Sequence, residues 1–310
     1  MPARILDGTA IASEIRQSVA PGVAAFTARA GRPPCLGIVL VGEDPASEIY
    51  VRNKVKAGTG SGLRVDLRRL PATASLDDLL VLVGELNASP VHDGILVQAP
   101  LPPAMGRAAS QQVFDTIDPA KDVDGFSPVS VGRLVQGRAP LAPCTPSGVI
   151  EMLDRSDIPI AGTRAVIIGR SDIVGKPMAM LLLHRDATVT ICHSKTPDLP
   201  AVAREADILV AAIGRAGFVT RDFVRPGATV VDVGINRVTE AGTAASLVGA
   251  SSPRMADFSR RGALVVGDVH PHVSEVAGAL TPVPGGVGPL TIAMLLRNTL
   301  VAAETRAGKD

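Results

Sequence analysis

Short apolar runs alternate with segments of helical period over the first hundred residues. Leu36 to Val41, Val65 to Leu70 and Gly94 to Gln98 read as strands, separated by helices starting near Pro45 and Ser75. Strands this apolar, alternating with helices, are expected in a parallel sheet covered on both faces. Asp44 before Pro45 pairs a helix cap with a proline in the first helical turn, and Ser75 with Asp78 has the spacing of a capping box. A loop-rich stretch from Pro100 to Pro146 separates this series from a second one: Arg164 to Gly169, Ala187 to Cys192, Ile208 to Ile213 and Thr229 to Val233, again with helices between. A last helix, about Pro289 to Ala303, falls outside the second series and is expected to pack back on the first domain. The predicted fold is therefore α/β with two domains. Residues 1–144 and 284–310 form an N-terminal parallel α/β domain, and residues 145–283 form a Rossmann-type domain. Residues 237–262 show no clear period and are expected to be a surface excursion between two strands, without chemistry.

Length supports this division, since 310 residues exceed the size at which a single core keeps growing. Charge narrows the partners. With 31 Lys+Arg against 30 Asp+Glu the formal net charge is +1, so neither nucleic acid nor a membrane is expected as partner, and a small molecule is. Cys35, Cys144 and Cys192 are odd in number and lack close pairing, so neither a disulfide framework nor a zinc site is expected. No metal is expected elsewhere, because the five histidines are scattered and His270-Pro-His272 lacks ligand spacing. The first residues carry no signal-peptide pattern, which makes cytoplasmic the expected location. Val276 to Leu296 is free of charge, but Pro282, Pro284, Gly285, Gly286, Gly288 and Pro289 interrupt it. It is expected as a short strand, a tight loop and a helix start rather than a membrane span.

Two places carry candidate chemistry. Tyr50, the only tyrosine, lies four residues before Lys54 on an expected helix, which puts phenol and amine on one face. Ordinary surface lysine and core filler are the plain alternatives. Further on, the apolar strand Ala165 to Ile168 runs into Gly169, Arg170, Ser171, Asp172, Ile173, Val174 and Gly175, then a helix. That is a strand, a glycine turn and a helix start suited to a pyrophosphate, although Ser171 stands where the usual middle glycine would be. The following strand ends in His193-Ser194-Lys195 with no carboxylate for a ribose 2′-hydroxyl. With Arg170, this favours NADP over NAD.

Seven ordered segments extend these signals. They are Val41 through Lys54, Gly94 to Pro102, Lys121 to Phe126, Pro143 to Pro146, Gly169 to Pro177, Asp232 to Asn236 and Thr281 to Pro289. Through them the chain resembles, nearly end to end, the bifunctional methylenetetrahydrofolate dehydrogenase/methenyltetrahydrofolate cyclohydrolase family. The resemblance implies NADP-dependent oxidation of 5,10-methylenetetrahydrofolate and hydrolysis of the methenyl product to 10-formyltetrahydrofolate. It makes the first domain folate-binding and catalytic, and the second NADP-binding. It implies catalytic and folate-binding roles for Tyr50, Lys54, Gln98 and Asp124, in a cleft between domains. Lys54 would be the proton-transfer group and Tyr50 its hydrogen-bonding orienter. Pro284, Gly285 and Gly286 would face the folate, with Asp268 a weaker member of that surface, and Ile235 the nicotinamide. Gly169, Arg170, Ser171, Ile173, Val174, Gly175 and Ser194 would hold the cofactor, and family members typically form homodimers. Ala99 replaces the family's usual leucine, and Asp172 puts an acid in the phosphate turn. A dehydrogenase without hydrolase activity, or a folate-binding protein without turnover, remain as alternatives.

Overall fold

The computed structural model describes residues 2–308. Among these residues the strands are β1 (Arg4–Ile5), β2 (Cys35–Val41), β3 (Arg64–Leu70), β4 (Gly94–Val97), β5 (Arg164–Ile168), β6 (Thr188–Cys192), β7 (Ile208–Ala211), β8 (Thr229–Asp232), β9 (Asn236–Val238), β10 (Leu264–Val266) and β11 (Ala279–Leu280). They fall into two compact units. One holds Ala12–Cys144 and the chain from Thr291 onward, and the other holds the chain up to Ile11 together with Thr145–Leu290.

The first unit contains a parallel sheet in the order β3-β2-β4. Every residue of central β2 is buried, as expected of a strand flanked on both edges and covered on both faces. Edge strand β3 instead carries Arg64, Asp66, Arg68 and Arg69, charges that discourage pairing with another chain. Helix Pro45–Gly60 starts where Asp44 accepts the Ser47 N–H at 2.8 Å, and helix Leu76–Ala88 starts at the Ser75–Asp78 capping box. Leu79, Val83 and Leu86, spaced for one helix face, pack on Val39, Val41, Ile95 and Val97 of the sheet. Burial of each such side chain contributes roughly 1.5–3 kcal/mol.

Asp93 fixes the end of the last helix in this unit. Its carboxylate takes both Arg32 Nη1 at 2.7 Å and Nη2 at 2.9 Å, Arg306 Nη1 at 3.0 Å and the Cys35 N–H at 2.9 Å. A bidentate guanidinium and a backbone donor give a buried carboxylate the partners it needs. Thus the C-terminal helix, Val287–Ala307, packs back on the first domain, as the sequence predicts.

The second unit is built on a parallel sheet in the order β1-β11-β8-β7-β5-β6, with apolar clusters on both faces. The chain passes from β5 to β6 on one side and then to β7 on the other, so the strand order reverses beside β5. Open α/β sheets bind ligands at such a switch point, beyond the carboxyl ends of the strands.

Several elements differ from expectation. Residues up to Ile11, assigned by pattern to the first domain, lie in the second unit because β1 adds to its sheet beside β11. Helix Gly8–Ala30 was not anticipated; Pro21 inside it and its many alanines blur the apolar period. The loop-rich stretch holds helices Ala109–Thr116 and Pro128–Val135. Residues 237–262 are not a featureless excursion. β9 pairs antiparallel with β10, helices Ala241–Val248 and Pro253–Arg261 fill the connection, and Val238, Ala244, Leu264 and Val266 form a small core. Those helices are eight and nine residues long, too short for a period to stand out.

Replacing Asp93 with Ala leaves the two guanidinium groups and the Cys35 N–H without their acceptor. Because both arginines keep partial solvent access, the expected loss is about 3 kcal/mol, the low end for a broken buried pair. Urea denaturation of Asp93→Ala, followed by circular dichroism, checks it.

Candidate active site

Lys54 sits on helix Pro45–Gly60, which leaves the carboxyl end of β2, and Gln98 follows the neighbouring β4. Gln98 is held in place because its N–H continues the ladder to Val39 O at 2.9 Å. Its side chain then bridges two partners: Lys54 Nζ donates to Oε1 at 3.0 Å, and Nε2 donates to Ala99 O at 2.6 Å. An ammonium or amine N–H can only meet the carbonyl side of an amide, so this pairing fixes which way Gln98 faces. Burial pushes the Lys54 amine below its ordinary pKa, while Asp124 and Cys144 pull it part of the way back.

Asp124 is placed by its neighbour. Asp122, buried, accepts the N–H groups of Gly125 at 3.0 Å, Phe126 at 3.2 Å and Ser127 at 2.8 Å, and so consumes its oxygens in the turn. The Asp124 carboxyl is free of that duty. Burial pushes it up to about 6 against the pull of Lys54, with Asp122 adding to the rise. Two residues missed in the sequence complete this cluster. The Cys144 thiol donates to Val123 O at 3.3 Å and is pushed far up by burial. Asn298 Nδ2 donates to Val123 O at 2.8 Å and to Ala142 O at 2.9 Å, clamping the backbone beside Asp124. The Pro143-Cys-Thr-Pro146 motif flagged the cysteine position; nothing local flags Asn298.

Tyr50 does lie one turn before Lys54 and burial raises its pKa, but Gln98, not Tyr50, holds the amine. The expected Tyr50–Lys54 hydrogen bond is therefore replaced. A side-chain amine reaching across to the next strand end finds a fixed amide there, whereas a phenol on its own helix points along the same face. Ser47 shares that face, three residues before Tyr50, and its buried hydroxyl has no hydrogen-bond partner among the described residues.

In the second unit, β5 ends at Gly169, whose φ of +128° and close approach to Ala212 O (2.2 Å from an added Cβ) admit only glycine. Gly175 opens helix Gly175–Leu183 with a similarly close approach, since an added Cβ would lie 2.3 Å from Gly169 O. Ser171 Oγ accepts the Val174 and Gly175 N–H groups, each at 3.2 Å, so this side chain shapes the turn. Asp172 pairs outward with Lys176, one turn on. Arg170 and Ser194, with His193, line a cavity of about 310 Å³ at the switch point. Arg215 and Phe218, from the segment after β7, also line it and were missed, although the strand-end position of Arg215 was a usable signal. Ile173 and Ile235 are exposed at the ends of their loops.

The turn Pro284–Gly286 also belongs to this unit. Gly285 has φ +103°, and its carbonyl accepts the Thr9 N–H at 3.0 Å. Asp268 is not part of a ligand-facing surface. It is fully buried and accepts Ile213 N at 2.7 Å, Gly214 N at 3.0 Å, Arg215 N at 2.8 Å and Asn236 Nδ2 at 2.9 Å. Its neighbour Asp232 accepts Gly234, Asp268 and Val269 N–H groups, each at 2.9 Å, and burial pushes it up to about 7. No group of metal-ligating side chains occurs among the described residues, and none of their helices is long and apolar enough to cross a membrane.

A lysine-centred polar site on one α/β unit and a nucleotide-type cavity on a doubly wound sheet define a two-domain, dinucleotide-dependent class of protein. Residues 6–124 match the family model for the tetrahydrofolate dehydrogenase/cyclohydrolase catalytic domain, and residues 143–307 match that for its NAD(P)-binding domain. The chain belongs to the tetrahydrofolate dehydrogenase/cyclohydrolase family. It is 56% identical to the bifunctional protein FolD of Solibacter usitatus, over 98% of this chain and 99% of the relative. The bifunctional FolD methylenetetrahydrofolate dehydrogenase/cyclohydrolase structure from Campylobacter jejuni aligns with a TM-score of 0.87 at 39% identity, covering 98% and 99% of the two chains. The Trypanosoma brucei methylenetetrahydrofolate dehydrogenase-cyclohydrolase, solved with NADP cofactor and inhibitor, gives 0.87 at 38% identity, covering 99% of each.

Asp124 holds the Lys54 pKa up, so removing its charge lowers that pKa further. An NMR titration of the Lys54 side chain is expected to show a midpoint below 10.5 in the wild type and a lower one in Asp124→Asn. An unchanged or raised midpoint in the variant contradicts this coupling.

Proposed function

We propose that this protein oxidises 5,10-methylenetetrahydrofolate to the 5,10-methenyl form with NADP and then hydrolyses the methenyl carbon to give 10-formyltetrahydrofolate. Family membership over both domains supports the two activities. The observation that carries the hydrolytic half is the desolvated Lys54 amine, hydrogen-bonded to Gln98 and facing the charge of Asp124.

The residues of the second unit fit the cofactor. A glycine turn with room for close backbone approach leads into a helix N-terminus, and the cavity beside it presents guanidinium and hydroxyl groups with no carboxylate in its lining. Gly169, Gly175 and the turn held by Ser171 support the pyrophosphate side, Arg170 and Ser194 the adenosine 2′-phosphate, and Ile173, Val174 and Ile235 the flanks of the nucleotide. NADP held there would supply the hydride acceptor for the one-carbon unit.

Everything else falls to the side chains. Asp124 accepts N–H donors from the aminopyrimidine edge of the pterin, a bidentate arrangement that a carboxylate favours. Tyr50 lines the substrate. Lys54, its pKa lowered by burial, takes a proton from the water that adds to the methenyl carbon and returns one as the ring opens. Gln98 keeps the amine aimed. A cytoplasmic homodimer is the inferred setting; three free cysteines, all buried and unpaired, support a reducing compartment.

Purified protein given methylenetetrahydrofolate and NADP+ is expected to form NADPH without accumulating methenyl absorbance. Lys54→Met is expected to lower hydrolysis by at least a hundredfold, in line with loss of a general base, while keeping more of the hydride transfer. Equal loss of both steps rejects the role given to Lys54, and absence of NADPH in the wild type rejects the enzyme. Sedimentation is expected to give twice the chain mass of 31.8 kDa.

A further inference from the structure

The cavity at the switch point contains one cation that the phosphate-binding reading does not use. Arg215 lies in the turn after β7, and its guanidinium stacks over the Phe218 ring at 4.1 Å from the centroid. Phe218 is itself backed by Phe223, edge-on at 5.4 Å. Stacking consumes the face of a guanidinium and leaves its N–H edge available, so the group is oriented rather than free. Below it, the Arg215 N–H is fixed to Asp268 Oδ1 at 2.8 Å, which anchors the backbone that carries it.

Charge around the cavity is unbalanced. Arg170, His193, Ser194 and Arg215 line it, and no aspartate or glutamate does. The nearby acids are occupied elsewhere: Asp172 pairs with Lys176, and the oxygens of Asp268 receive four N–H groups. Two guanidinium groups lining one small cavity without an acid favour an anionic ligand there. A phosphate monoester, carrying about −1.5 to −2 charge and three acceptor oxygens, satisfies both.

Resting on the NADP-dependent reading above, we infer that Arg215 is a specificity-determining residue, the second cation on the adenosine 2′-phosphate, held in place by Phe218. Arg170 alone would leave a doubly charged phosphate half neutralised. The stacked pair supplies the remainder at no cost in side-chain ordering, because Phe218 has already ordered it.

The test compares NADP+ and NAD+ in the dehydrogenase assay, with hydrolysis of methenyltetrahydrofolate in the absence of nucleotide as a measure of intact folding. Arg215→Gln is expected to lower kcat/KM for NADP+ at least tenfold, through KM, and to change that for NAD+ less than about twofold. Arg215→Lys, which keeps the charge but cannot stack as a flat fork, is expected to retain part of the preference. Equal losses with both cofactors, or an unchanged ratio, overturn the inference. If Arg215→Gln loses the nucleotide-free hydrolysis, Arg215→Lys decides: a ratio lowered at least threefold supports the assignment, and the wild-type ratio rejects it. Wild-type protein that shows no preference for NADP+ would instead defeat the cofactor reading itself.

Discussion

Strands of a parallel sheet end in turns whose N–H groups have left the ladder, and burial of those turns demands acceptors. Three carboxylates meet that demand here. Asp122 accepts three N–H groups of the turn after it, Asp232 one from the turn after β8 and two from the segment after β10, and Asp268 three from the segment after β7 plus the Asn236 amide. Each is stabilised by backbone dipoles, and each lies close to a residue proposed above to meet a ligand: Asp124, Ile235 and Arg215. The division of labour is physical. One acid spends its oxygens on the chain so that its neighbour does not have to.

Lys54 illustrates the opposite use of burial. An amine surrounded by protein loses the water that favours its charge, and Asp124 restores only part of that loss. Asp124 in turn is raised by the same burial and lowered by Lys54. The pair therefore brings an acid and a base closer in proton affinity than the two would be apart in water. Gln98 adds direction without charge, because an amide bonded to both Lys54 and Ala99 cannot rotate freely.

Much of this was legible in the sequence where local and global signals agree. The Asp44 and Ser75 caps, the apolar runs of β2, β4, β5, β7 and β8, and the glycines at 169 and 175 each have one physical explanation, and the structure uses it. Legibility failed where the deciding partner lies far along the chain. The two residues of β1 are a strand only because β11 accepts them, and Asn298 reaches Val123 across 175 positions. The Tyr50 hydrogen bond was wrongly placed for the same reason: spacing on one helix gives proximity, while Gln98, 44 residues from Lys54, gives the better acceptor. In residues 237–262 the period was short, and small alanine and serine side chains hid a real if minor core.

A chain with no tryptophan and one tyrosine keeps that tyrosine on the Lys54 helix face, half-buried. The folded core is otherwise aliphatic, with phenylalanine as its only other aromatic side chain apart from histidine. The tyrosine emission of the whole molecule thus arises from a single ring, one helical turn before Lys54. In spectroscopic terms the protein is natively single-labelled, and its tyrosine emission reads one location without any engineered probe.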